Sequence, residues 1–142
     1  MSRMPVPIGQ AAKASGVKVP TIRYYEQIGL LPALSRTESN RRLYDEGDLR
    51  RLTFIRHARD LGFEIEAIRA LLDLQDRPEH DCALADGLAR ERLAEVETRM
   101  AKLASLRTEL LRMIDSCGHG RVDQCRVIEV LADHGQCAHA EH

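Results

Sequence analysis

The sequence predicts a mainly α protein. A winged helix-turn-helix comes first, then a long helix of coiled-coil type, a cysteine-bounded loop and a short helix. Three observations predict this. Glycines and prolines cut the first 75 residues into short segments with helical apolar spacing. From Cys82 to about Ser116 there is no proline and a single glycine, Gly87. Charged residues make up 30% of the 142-residue chain and aromatics 4%, with no Trp. That balance suits long solvated helical faces better than a large compact core. It also implies that part of the apolar surface is buried against a partner.

The elements follow in order. Residues 8–15 (IGQAAKAS) form a short helix that stops at Gly16. After the tight connection Val17-Lys18-Val19, Pro20 suits the first turn of a second helix, where its missing N–H costs nothing. That helix spans about 20–28 and ends at Gly29, which completes a helix-turn-helix pattern. Residues 33–44 hold no helical period, and Arg42-Leu43-Tyr44 reads as a strand in a two-stranded wing. A third helix starts near Asp45 and runs to Leu61, with Leu49, Leu52, Phe54, Ile55 and Ala58 as its buried stripe. Gly62 breaks it, and a fourth helix over about 64–75 presents Ile65, Ile68, Leu71 and Leu72.

After the break at 77–81 the long helix begins. Leu93, Val96, Met100, Leu103, Leu110 and Ile114 follow steps of three and four, with Arg107 interrupting the run. This is a coiled-coil seam, and its stripe is expected to be buried against a second copy of the chain. A short helix over about 125–132 follows, then a His-rich polar tail. The predicted organisation is a DNA-binding region over 1–75, a linker and dimerisation helix over 76–116, a loop and short helix over 117–133, and a tail over 134–142.

Charge is unevenly spread. Residues 1–70 carry a net +4 and residues 71–142 a net −5. Arg36, Arg41, Arg42, Arg50, Arg51, Arg56 and Arg59 concentrate in the basic half. Local basic surface is the usual electrostatic footprint of phosphate-backbone binding. No stretch approaches the ~20 apolar residues that a membrane span needs. The first residues lack a long apolar core of the secretory type, so a cytoplasmic protein is expected. No Ser/His/Asp arrangement, phosphate-cradling glycine loop or paired-carboxylate site stands out, so an enzyme is not expected.

Cysteine placement is the most specific chemical signal. Cys82 stands where the long helix begins, and Cys117 and Cys125 bracket a short Gly/His loop where it ends. The two ends of such a helix lie ~50 Å apart, from ~1.5 Å of rise per residue. Within one chain these thiols cannot meet. In an antiparallel pair, Cys82 of one chain falls beside the Cys117–Cys125 loop of the other. Four cysteines in a reducing compartment point to metal ligands or redox thiols rather than structural disulfides.

Several strings resemble the MerR family of bacterial transcription regulators. They are Ile8-Gly9-Gln10-Ala11-Ala12, Thr21-Ile22-Arg23-Tyr24-Tyr25-Glu26, Gly29-Leu30-Leu31-Pro32, Arg42-Leu43-Tyr44 and Arg51-Leu52-Thr53-Phe54-Ile55-Arg56. Leu61-Gly62-Phe63 and Ile68-Arg69-Ala70-Leu71-Leu72 continue the likeness, which covers residues 7–132. The chain departs from the pattern at Asn40-Arg41, where members often carry Gly and an aromatic. Asn tolerates left-handed backbone, so the wing turn is expected to survive.

The resemblance implies a winged helix-turn-helix and an antiparallel coiled-coil homodimer on promoter DNA. It implies activation by bending and underwinding an over-long promoter spacer, so that RNA polymerase engages both elements. The second helix becomes the recognition helix, with Thr21, Arg23 and Tyr24 as groove or phosphate contacts. Arg36, Arg42 and Tyr44 in the wing, with Arg56 and Arg59 beyond, become phosphate-positioning candidates, at least one of them tying wing to helix. Tyr25 is open between core and contact.

The metal ligands implied are Cys117 and Cys125 of one chain with Cys82 of its partner, and His119 as a further donor. Copper sensors of this family typically place Ser where Cys82 stands. A third thiolate suits Zn(II), Cd(II), Pb(II) or Hg(II), and His119 favours zinc among them. The order expected is Zn(II), then Cd(II) and Pb(II), then Hg(II), with Cu(I) last. Redox sensing by the same thiols is the alternative reading. His80 and Asp81 are candidates for a supporting role, and the tail residues His134, Cys137, His139 and His142 for a second metal ion.

Overall fold

A computed structural model describes residues 4–32, 41–116 and 120–133. These residues form six α-helices: α1 (Ile8–Ser15), α2 (Val19–Gln27), α3 (Glu46–Asp60), α4 (Ile65–Gln75), α5 (Ala83–Asp115) and α6 (Arg126–Ala132). A 3-10 turn, Val122–Gln124, precedes α6. The chain divides into two compact units, one up to Ala89 and one from Arg90 onward.

In the first unit, α1 stops because Gly16 turns left-handed, at φ 76°. Its N–H donates to the Ala12 carbonyl, while the buried Ser15 hydroxyl donates to the Ala11 carbonyl at 2.8 Å. A Cβ on Gly16 would lie 2.0 Å from Nη1 of Arg56, so glycine serves both the backbone and the guanidinium packed on it. Helix α2 then starts one residue before Pro20, which sits in its first turn. Helix α3 opens on a reciprocal capping box. The Asp45 carboxylate accepts from the Asp48 N–H at 2.8 Å, and the Asp48 carboxylate accepts from the Asp45 N–H at 3.0 Å.

The core of this unit comprises Ala11, Val17, Ile22, Tyr25, Leu30, Leu31, Tyr44, Leu52, Ile55, Ala58, Ile68 and Leu72. Tyr25 therefore belongs to the core. The buried stripe of α3 differs from its expected form. Leu49 and Phe54 are only half-buried, and Asp48 is buried instead. Asp48 lies one turn before Leu52 on the inward face, and its capping duty is what lets a carboxylate stay there.

The expected wing strand at Arg42-Leu43-Tyr44 is not a strand among the described residues. Tyr44 makes one isolated antiparallel bridge, to Val6. Its N–H donates to the Val6 carbonyl at 2.8 Å and its carbonyl accepts from the Val6 N–H at 2.9 Å. Residues 33–40, which carry the rest of the predicted wing and include Arg36 and Asn40, lie outside the described residues.

In the second unit, α6 meets the end of α5. Glu109, Arg112 and Met113 line a small cavity of about 70 Å³ with Arg126 and Val130. Met113 and Val130 are buried there. The other face of α5 is bare: Leu93, Met100, Leu103, Leu110 and Ile114 are each more than half exposed. No helix among the described residues is long and apolar enough to cross a membrane.

Candidate DNA-binding face and thiol positions

Helix α2 sorts its residues by its own period. Ile22 and Tyr25 turn into the core, which leaves Arg23 and Tyr24 exposed and Thr21 half-buried. The Tyr24 and Tyr25 rings lie 6.0 Å apart and tilted by 49°, one outside and one inside. Two arginines from elsewhere hold the end of this helix. Nε of Arg51, on α3, donates to the Leu30 carbonyl at 2.7 Å. Nη2 of Arg69, on α4, donates to the Ile28 carbonyl at 3.0 Å. Ile28 is the C-cap of α2, and Leu30 lies two residues beyond it.

Beside α2 lies an open groove of about 880 Å³, with Arg23, Arg41 and Arg42 on its walls and Glu26 and Tyr44 between them. Glu26 organises this place. Its side chain is 7% exposed, accepts a hydrogen bond from the Tyr44 hydroxyl and pairs with the Arg42 guanidinium. Burial pushes the Tyr44 phenol up from its usual range, with Arg42 and Arg23 pulling the other way, so the hydroxyl stays protonated and donates.

The predicted DNA-contact residues thus occupy different environments. Arg23 and Tyr24 are free to reach a ligand, and Arg42 is half-exposed while anchored through Glu26. Tyr44 is only 1% exposed, so it supports the face from behind. Arg56 packs on Gly16 and pairs loosely with Asp60 at 3.9 Å, and Arg59 donates to the Phe63 carbonyl at 2.7 Å. Both guanidinium-bearing residues remain exposed. Glu26 and Arg41 were not among the predicted contact residues. An acid in the basic half, 18 residues from a tyrosine, carries no sequence signal for this pairing.

The two described thiols share a local position. The carbonyl of Cys82 accepts from the Asp86 N–H at 2.9 Å, so this exposed cysteine is the residue from which α5 starts. Asp81 supports the turn by accepting from the Ala83 N–H at 3.0 Å. Cys125, half-buried, is the N-cap of α6, and its carbonyl accepts from the Glu129 N–H at 3.0 Å. Cys117, His119 and the tail from 134 lie outside the described residues. Among the described residues of one chain, no three His, Cys, Asp or Glu side chains come together to hold a metal ion. The donor chemistry nevertheless fits a soft or borderline ion, since two thiol-bearing residues, Cys82 and Cys125, stand at helix starts.

Comparison with known proteins decides the family. Residues 6–75 match the family model of the MerR HTH family regulatory protein, and residues 49–113 match that of MerR, DNA binding. The HTH-type transcriptional regulator ZntR of Escherichia coli (strain K12) is 47% identical over 128 residues, which cover 87% of this chain and 90% of ZntR.

The chain belongs to the MerR family.

Two further MerR-type relatives extend the likeness. Heavy metal-dependent transcription regulator 1 of Rhizobium meliloti (strain 1021) is 40% identical over 127 residues, covering 89% of this chain and 86% of that protein. The crystal structure of the transcription regulator PbrR691 from Ralstonia metallidurans CH34 in complex with Lead(II) superimposes with a TM-score of 0.75 at 40% identity. It covers 89% of this chain and 98% of that one. The chain therefore carries the MerR-type helix-turn-helix region, with α2, Arg23 and the Glu26-anchored Arg42 beside one groove of it.

Proposed function

We propose that this MerR-family protein is a metal-responsive transcriptional activator, cytoplasmic and without catalytic activity, that works as a homodimer on promoter double-stranded DNA. Its effector is a divalent soft or borderline ion, Zn(II) first, Cd(II) and Pb(II) next, Hg(II) after them. One observation carries the reading: Cys82 starts α5 and Cys125 starts α6, so in the chain they flank a 33-residue helix with an exposed apolar seam. A seam of that kind is covered when two copies run antiparallel, and Cys82 then joins Cys117 and Cys125 of the partner chain, with His119 as a further donor. Two of the MerR-type relatives support the metal: one is named as heavy metal-dependent and one was crystallised with Lead(II).

The bound ion would supply strong bonds joining thiols of two chains. The rest is work for the protein's own groups. Arg23, Tyr24 and Arg42 hold the DNA in either state, with Arg36, Arg56 and Arg59 positioning its phosphates, and Glu26 ties Arg42 and Tyr44 to α2. A change at the dimer helix then alters how the two DNA-binding faces grip the promoter. The DNA is bent and underwound, and RNA polymerase can engage both promoter elements.

The test is a titration of the reduced protein with Zn(II), Cd(II), Pb(II), Hg(II) and Cu(I) during transcription from its own promoter. Cys82→Ser is expected to abolish the zinc response and leave DNA affinity intact. A response to Cu(I) alone, indifferent to Cys82→Ser, would overturn the divalent reading. A response to oxidants without metal would favour the redox alternative.

A further inference from the structure

Between Leu93 and Ile114 the exposed face of α5 contains one residue that does not belong in an apolar seam. Leu93, Val96, Met100, Leu103, Arg107, Leu110 and Ile114 follow an unbroken alternation of three- and four-residue steps. Arg107 therefore occupies a seam position, in step with Leu93, Met100 and Ile114. A polar residue at such a position lowers the stability of a coiled coil but specifies its alignment. Neither the Arg107 nor the Glu97 side chain makes a hydrogen bond or ion pair among the described residues.

We propose that Arg107 pairs with Glu97 of a second copy of this chain and that this pair, formed twice in the dimer, sets the antiparallel register of α5. The inference rests on the dimer proposed above and adds what aligns it. In an antiparallel pair, each layer matches one seam set against the other, so neighbouring registers differ by one heptad. Three registers keep most of the seam covered. In the first, Arg107 faces the partner's Ala89 beside the partner's Arg90, a like charge, and Leu110 meets the partner's Asp86. In the second, Arg107 faces the partner's Val96, and the partner's Glu97 is the next residue outward. Leu93 then packs on the partner's Leu110, and Met100 on the partner's Leu103. In the third, Arg107 faces the partner's Leu103 beside the partner's Ala104, with no acid to receive it.

Charge complementarity selects the second register. An arginine stem can lie along the apolar layer while its guanidinium reaches outward to the carboxylate.

The experiment is a charge-swap cycle on the full chain, read by sedimentation and by a distance. Arg107→Glu and Glu97→Arg are each expected to weaken dimerisation about tenfold, because like charges then face each other. The double variant is expected to recover to within about threefold of the parent. The distance is measured between nitroxides on a ketone-bearing residue introduced at the outward position 91, which leaves the cysteines untouched. A slip of one heptad changes that separation by about 10 Å along the axis. Arg107→Leu is expected to tighten the dimer while replacing one distance by several.

Single reversals that leave dimerisation unchanged would overturn the proposal. So would a double variant as weak as the two single effects combined, or a single unchanged distance in Arg107→Leu. A dimer whose distance matches another register would overturn this pair alone. A chain that stays monomeric at all concentrations would overturn the shared thiol site as well.

Discussion

Tyr44 and Arg23 sit on one groove and do opposite things. Tyr44 is buried, and its hydroxyl is committed to Glu26. Tyr44→Phe keeps the ring and removes one donor, so it is expected to cost about 0.5–1.5 kcal/mol of stability. Arg23 is exposed on α2 and ready for a phosphate or a guanine. Arg23→Ala is expected to leave the denaturation midpoint in place and to lower the slope of log affinity against log salt by about one, if it meets a phosphate. Chemical denaturation and DNA binding over a salt series check the pair together. If Tyr44→Phe changed the salt slope and spared stability, the two roles would have to be exchanged. The sequence places both residues beside DNA, because a residue's type does not reveal which side of a turn it occupies. The contact that decides the matter joins Glu26 to Tyr44 across 18 residues, beyond any local pattern.

Helices α1 to α6 were legible to within one residue at either end, and the reason is local chemistry. Gly16 can adopt φ 76°, Pro20 fits a first turn and Asp45 can cap. What the pattern misassigned is the inward face of α3, where Asp48 takes a buried place that an apolar stripe would give to Phe54. Burial raises the Asp48 carboxyl above its usual range, and the neighbouring Asp45 charge adds to this against the hydrogen bond from the Asp45 N–H. The folded state then holds this proton more tightly than the unfolded chain. The stability linked to it is full below the usual carboxylate range and is lost as pH rises through the raised value. Asp48→Asn keeps an acceptor for the Asp45 N–H and has no charge to bury. It is expected to match or exceed the parent in urea midpoint at pH 7 and to lose any advantage near pH 3. An advantage that grew on acidification would contradict the burial argument. The thiols were legible for a related reason: both described cysteines stand at helix starts, where sequence breaks are visible.

At the scale of the molecule, the two halves carry opposite formal charge, net +4 over residues 1–70 and −5 over residues 71–142. The basic half contains the MerR-type helix-turn-helix region. The acidic half contains a 33-residue helix with an uncovered apolar seam. An apolar stripe left in water is compensated when a second folded copy covers it, and mass action then links stability to concentration. The melting temperature of the reduced, metal-free protein is therefore expected to rise with protein concentration. A melting temperature constant over a hundredfold range would show that the seam remains bare in solution.

The two arginine bonds at the end of α2 act as a gear. Arg69 reaches Ile28 from α4 and Arg51 reaches Leu30 from α3, so two helices hold adjacent points on the same turn. A shift of α4 by an ångström must stretch a 3.0 Å bond past its useful range or carry the end of α2 along with it. Helix α2 is thus not a free finger. It is one tooth of a train whose other teeth are α3 and α4, and whatever turns the train turns α2.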